Sequence, residues 1–349
     1  MDVHIHGGDN YSSSSGVKAM IPYELIFEVI VYPGLIFLSI AVWLTQWYYR
    51  KVYAHMQSRI GPLHTGPLGI LQPIADYLKL FFKEDISTEG SNPRLAVALL
   101  STAIGSLVAL TLMLPITPLY PIVAKYDIML AMYLLVWPTI AIALIGILTP
   151  NPFSTVGTSR VFSMTLAYEV AFVASVLTPI VLSSAIYGSN YSLYLSCLNA
   201  WRLWLNPYTI VPMILALIAA LLSLQCKLLA KPFDIPEAET EIVAGPFTEY
   251  SGFKLALILG LHDIEIVVGS LLITMLFFGG FAPFMWLPWY IALIITVIEY
   301  VAVVTIVTWI RAMTARLRID QALIIFWKYV LPMAAIALII SVVIPYVIA

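Results

Sequence analysis

Apolar residues run along this chain in long blocks divided by short polar intervals. A surface helix of a soluble protein would instead show a narrow apolar stripe with charges opposite. A helix that crosses the hydrocarbon layer needs about 20 mostly apolar residues. Eight stretches meet that length, over 22–49, 95–118, 127–149, 160–187, 208–230, 253–280, 286–310 and 323–348. The pattern predicts an all-α integral membrane protein, with one eight-helix domain over 21–349 behind a polar, serine-rich, flexible head at 1–20. A ninth helix differs in kind. Over 69–84, apolar residues recur at helical spacing beside Asp76, Lys79, Lys83 and Glu84, which predicts an amphipathic helix lying in the headgroup plane.

The polar intervals set an orientation. Eight crossings put both termini on one side, and Lys and Arg collect in cytoplasmic loops. Of 17 basic residues, only Lys18, Lys125 and Arg202 fall at one face, and the rest, including Arg59, Arg160, Lys227, Lys231 and Lys254, fall at the other. Both termini are therefore expected outside. Loops 50–94, 227–252 and 311–322 then form a cytoplasmic surface on which a partner docks. Residues 1–20 lack a basic start followed by a short apolar stretch, so the first helix is expected to be retained.

Composition narrows the choice of class. The chain has 349 residues, 61% hydrophobic and 10% charged, with a mean hydropathy of +0.96; soluble proteins carry about 25% charged residues. A net charge of −2 with no basic stripe excludes a nucleic-acid partner. Cys197 and Cys226 lie on opposite sides and cannot pair. Neither they nor the scattered His4, His6, His55, His64 and His262 have the spacing of a zinc or iron–sulfur site. Any electron carrier has to lie in another chain.

The titratable residues carry the chemistry. Between Lys231 and Gly252 stand five carboxylates, Asp234, Glu237, Glu239, Glu241 and Glu249, against one lysine. Crowded, partly buried acids hold protons more firmly than isolated ones. A solvated helix cap is the plainer account, since Pro236 suits a first helical position and acids favour a helix N-terminus. Capping alone does not explain Glu237 and Glu241, which would stack four apart and repel. Within the spans, Glu169 follows Tyr168 about nine residues into the fourth stretch, hence about 13 Å deep at 1.5 Å per residue. In the sixth, His262 and Glu265 share a helical face while Asp263 and Glu265 point apart. Glu299 stands alone in the seventh, and Glu24 and Glu28 open the first near the outer interface. Acids inside spans mark ion pathways by default, with a packing ion pair as the alternative at each.

On these residues the chain resembles the membrane subunit at the heel of the respiratory complex I membrane arm, and its counterpart in membrane-bound [NiFe] hydrogenases and sulfane-sulfur reductases. The resemblance spans most of residues 20–349. It rests on Ser58–Leu80 (SRIGPLHTGPLGILQPIADYLKL), on Arg160 with Ala167-Tyr168-Glu169, on Pro232–Gly245 (PFDIPEAETEIVAG) and on Glu249-Tyr250-Ser251-Gly252. It implies a junction with a cytoplasmic redox arm at Asp234, Glu237, Glu239, Glu241, Glu249, Lys231, Arg59 and Arg160. It further implies an ion path through Tyr168, Glu169, His262, Asp263 and Glu265 toward antiporter-like membrane subunits. No cofactor is expected in this chain; the [NiFe] centre and iron–sulfur clusters belong to hydrogenase-like large and small partner subunits.

Two departures bear on the branch. Quinone-reducing members usually carry Glu-Thr-Asn-Arg-Ala before Pro-Phe-Asp, whereas Lys227–Lys231 reads KLLAK, and the family acid expected near 262 is His262. Both favour the hydrogenase and sulfur-reductase branch, a non-redox coupling subunit in a prokaryotic plasma membrane. A quinone-site subunit, a stand-alone secondary transporter and a purely structural anchor are the alternatives; the inverted repeat that marks a transporter is not found.

Overall fold

In a computed structural model, residues 27–116, 124–284 and 286–348 are described. Eight helices are long and apolar enough to cross a membrane, and the described residues contain no strand. The polar head, including His4 and His6, and Glu24 lie outside the described residues, as does the side chain of Glu239.

The first span, Phe27–Met56, breaks at Pro33–Gly34, after which α1 (Leu35–Met56) runs on well past residue 49. Its final turns carry Arg50 and Lys51, whose charges are met locally. Arg50 pairs with Asp76, and Lys51 Nζ donates to Pro62 O at 2.9 Å. The expected amphipathic helix is α2 (Gln72–Phe82), with Pro73 in its first turn. Trp43 Nε1 ties α1 to its approach by donating to Ile70 O at 2.6 Å.

The remaining spans are α3 (Pro93–Met113), α4 (Asp127–Ile147), α5 (Pro152–Tyr187), α7 (Pro207–Lys227), α9 (Gly252–Ile273), α10 (Trp289–Met313) and the pair α11 (Ile319–Ile325) and α12 (Leu331–Ile348). A π turn over Phe326–Val330 joins α11 to α12 as one crossing. The central α5 packs against α4, α7 and α12. It begins eight residues before the expected 160, because Asn151 accepts from the Phe153 N–H and Pro152 fills the first helical position. Its 36 residues reach about 54 Å, longer than the roughly 30 Å apolar layer. Arg160 therefore sits in a part of α5 that projects toward the loops at 57–92, 228–251 and 314–318, the loop face of the bundle.

At the opposite face, α6 (Leu193–Leu205) is an element the hydropathy pattern does not predict. It buries Leu193, Ser196, Cys197, Ala200 and Leu203, a three-and-four spacing too short to cross. Asp127 fixes its start by accepting from Leu193 N–H at 2.6 Å. Cys197 and Cys226 are both buried and free.

Candidate functional site

The acidic segment folds back onto the bundle as an irregular loop. Only α8 (Glu239–Ile242) and a single 3₁₀ turn at Gly245–Phe247 are helical, so no helix starts at Pro236 and the expected stacking of Glu237 on Glu241 does not occur. Two glycines make this path available. Gly245 has a φ of +51°, and a Cβ there would lie 1.9 Å from Pro236 O. On α5, a Cβ at Gly157 would lie 2.7 Å from Gly245 Cα and from Pro246 Cδ. The Gly245–Phe247 turn thus packs tightly against α4 and α5, while the Phe233 ring packs at a tilt of 54° against that of Phe326, centroids 5.0 Å apart.

The described acids of the loop are separated rather than crowded, each facing its own partner. Asp234 meets Arg316 at 2.9 Å, Glu241 meets Arg160 at 2.6 Å, and Asn151 Nδ2 donates to Glu249 at 2.5 Å. Burial pushes the Asp234 carboxyl above the ordinary carboxylate range, and Arg316 opposes that rise. Tyr250, which donates to Ile145 O at 2.7 Å, is pushed up to about 12 by burial. Lys231 stays exposed at the rim.

Glu237 turns the other way, toward α9. His262 Nε2 lies 3.3 Å from Glu237 and its Nδ1 3.6 Å from Glu265, ion-pair distances without hydrogen-bond alignment. Glu265 is buried, and neither of its oxygens has a hydrogen-bond partner. Asp263, one residue on from His262, points elsewhere as its helical position requires. It accepts from Gln46 Nε2 and Tyr77 Oη, both at 2.5 Å, and so pins α1 and α2 to α9. Burial and the Asp263 carboxylate both push the Tyr77 phenol upward, which keeps it a donor.

These groups border a cavity of about 440 Å³ at the loop face, walled by Glu237, His262, Asp263, Arg59 and Arg311. Arg311 lies between the rings of Tyr49 and Tyr53, 5.1 and 5.0 Å from their centroids, and Arg59 covers Tyr53 at 5.8 Å. A second cavity of about 550 Å³ shares Glu237 and Arg311 and reaches Asp234 and Lys231. A third, apolar cavity of about 410 Å³ lies between α1 and α2, bordered by Trp43, Pro73 and Tyr77. Gln46 borders both it and the first cavity.

Deeper in the bundle, Glu169 Oε1 lies 2.6 Å from Lys227 Nζ. Lys227 is not the solvated charge that its place in the positive count implies. Its side chain is 1% exposed, with Nζ also donating to Thr139 Oγ1 at 2.9 Å and lying 5.8 Å from the Tyr168 ring centroid. Lys254 is likewise buried, held by Asp85 at 3.1 Å. Tyr168 also donates to Thr139, at 3.3 Å. The fold therefore groups Glu237, His262 and Glu265, and separately Tyr168, Glu169 and Lys227. Glu299 lies apart, beside the Gly280 backbone. Among the described residues, no three His, Cys, Asp or Glu side chains converge closely enough to ligate a metal ion.

Residues 29–342 match the family model described as NADH dehydrogenase. The chain belongs to this family. It is 31% identical over 340 residues to a subunit of the NADH-quinone oxidoreductase of Wolinella succinogenes, covering 92% of this chain and 98% of the relative. The like-named subunit from Brevibacillus brevis is 32% identical over 296 residues, covering 82% and 83%. Among solved structures, a chain of the membrane-bound sulfane sulfur reductase, an archaeal respiratory membrane complex, superposes with a TM-score of 0.74 at 27% identity, covering 88% of this chain and 96% of that one. NADH dehydrogenase family membership and the eight spans make this chain a multi-pass membrane subunit of a complex I-related oxidoreductase.

Proposed function

We propose that this chain anchors and couples a hydrogenase-like or sulfur-reducing arm: redox chemistry in docked cytoplasmic subunits drives proton or sodium movement, and this subunit passes the drive into the membrane. The observation that carries the reading is a pair of titratable clusters in the bundle, one of them opening on the loop-face cavity. Glu237 and His262 stand at the cavity wall with buried Glu265 beside His262, and Glu169 with Lys227 and Tyr168 forms a second buried group. A packing anchor has no need of acids with unpartnered oxygens at Glu265 and Glu169, whose burial is costly.

In this reading the loop face is cytoplasmic and both termini lie outside, in the plasma membrane of a prokaryote. Lys231, Arg59 and the acids Asp234, Glu239, Glu241 and Glu249 meet the arm, while Arg160 holds Glu241 in place. The [NiFe] centre and iron–sulfur clusters reside in large and small partner subunits, and antiporter-like subunits receive the drive laterally. Lys227 and His262, at positions where quinone-reducing relatives carry acids, support this branch.

Glu169→Gln keeps an acceptor for Lys227 and removes the titratable oxygen. Turnover-driven ion movement in native membrane vesicles is expected to fall while the subunits still co-purify; unchanged pumping rejects the coupling role. A co-purifying subunit with four cysteine ligands for nickel assigns the hydrogenase branch. One observation favours a quinone-reducing complex instead, the apolar cavity between α1 and α2 that meets the polar cavity at Gln46. Quinone extracted from the purified complex, or inhibition by quinone-site blockers, would establish that branch.

A further inference from the structure

The surroundings of Lys227 are those of a cation site already filled. The ammonium sits among one carboxylate oxygen (Glu169, 2.6 Å), one hydroxyl oxygen (Thr139, 2.9 Å) and one aromatic face (Tyr168, 5.8 Å to the centroid), with its side chain 1% exposed. Oxygen ligands and a π face are what a bare cation seeks. The place is taken by a group that belongs to the chain, tethered by four methylenes to the last residue of α7. A free alkali ion has to evict that ammonium into apolar surroundings, leaving a buried charge without its partner.

The unoccupied chemistry at the same spot suits a smaller guest. Glu169 Oε2 is buried and has no hydrogen-bond partner. One free carboxylate oxygen can hold a proton, whereas a hard metal cation needs several oxygens at once. A second buried acid, Glu265, repeats the arrangement, with the His262 ring nitrogen at 3.6 Å. Each deep acid is thus matched by a fixed nitrogen group and retains unpartnered oxygen.

We propose that Lys227 is the specificity-determining residue of this subunit: its ammonium fills the cation position beside Glu169, so the deep station passes protons and is closed to Na⁺. The inference rests on the coupling role proposed for Glu169, and its test is separable from that role. Dicyclohexylcarbodiimide modifies protonated buried carboxyls, and mass spectrometry of the purified complex reads the modification at Glu169. In the wild type the reaction is expected to be slow and unchanged when Na⁺ replaces choline at constant ionic strength. Lys227→Met is expected to speed it by about tenfold or more, the minimum effect of removing an opposite charge at this distance. Lys227→Arg restores the cation and the slow rate, which separates charge from mere packing.

Protection of wild-type Glu169 by Na⁺ of about twofold, the mark of half occupancy, overturns the proposal, as does a Lys227→Met rate no faster than wild type. Should Lys227→Met fail to assemble, the wild-type Na⁺ comparison decides alone. Normal pumping by Glu169→Gln defeats the coupling role; Na⁺ protection together with arrested pumping in Glu169→Gln defeats only the selectivity.

Discussion

The two acid–base pairs of this subunit are built from the same kinds of group and placed in opposite surroundings. His262 and Glu237 stand at a cavity wall, with side chains 18% and 29% exposed and no aligned hydrogen bond between them. Lys227 and Glu169 are 1% and 12% exposed, and the ammonium donates to both Glu169 and Thr139. Solvent can reorganise around the first pair as charge arrives; the second has only fixed side chains to respond with. The contrast teaches that the two pairs differ in access to water.

That contrast can be broken most forcefully at the dry end. Lys227→Glu sets a second carboxylate against Glu169 where no water can screen it, and is expected to cost at least about 3 kcal/mol. The reading is loss of intact complex on detergent extraction; a complex of wild-type melting temperature would contradict the dryness assigned to this pair. Glu237→Gln at the wet end is expected to shift melting by less than about 1 kcal/mol equivalent while reducing turnover-driven ion movement in vesicles. A large stability loss there would erase the distinction between the pairs. Smallest of all, Arg318→Ala removes an ion pair with Asp320 whose side chains are 80% and 70% exposed. Screening leaves it worth no more than about 0.5 kcal/mol, so both melting and ion movement should match wild type.

Much of the architecture is legible from hydropathy because lipid imposes one simple demand, length in apolar residues, and all eight crossings satisfy it. The α2 helix is legible from apolar residues at helical spacing beside Asp76, Lys79 and Lys83. What hydropathy misses has weaker local signals. The α6 helix lies in a stretch with too few apolar residues in succession to cross, and only the spacing of Leu193, Cys197, Ala200 and Leu203 betrays it. Among the candidate residues, the helical geometry of His262, Asp263 and Glu265 is readable because side-chain direction follows from position within a turn. Crowding among the loop acids is a misreading: sequence proximity in an irregular loop does not fix direction, and the partners arrive from three distant segments, Arg160 and Asn151 from the start of α5, His262 from α9 and Arg316 from beyond α10. Lys227 passes for a surface charge in the sequence for the same reason, since its partner lies 58 residues away.

The turn at Gly245–Phe247 has a mechanical corollary. Packed against α4 and α5 with no room for even a methyl group at Gly157, it touches the two helices that carry Thr139 and Glu169, the oxygen anchors of the Lys227 ammonium. Loop and buried pair are consequently parts of one stiff linkage, in which a tug applied at the loop face has to strain the grip on that nitrogen.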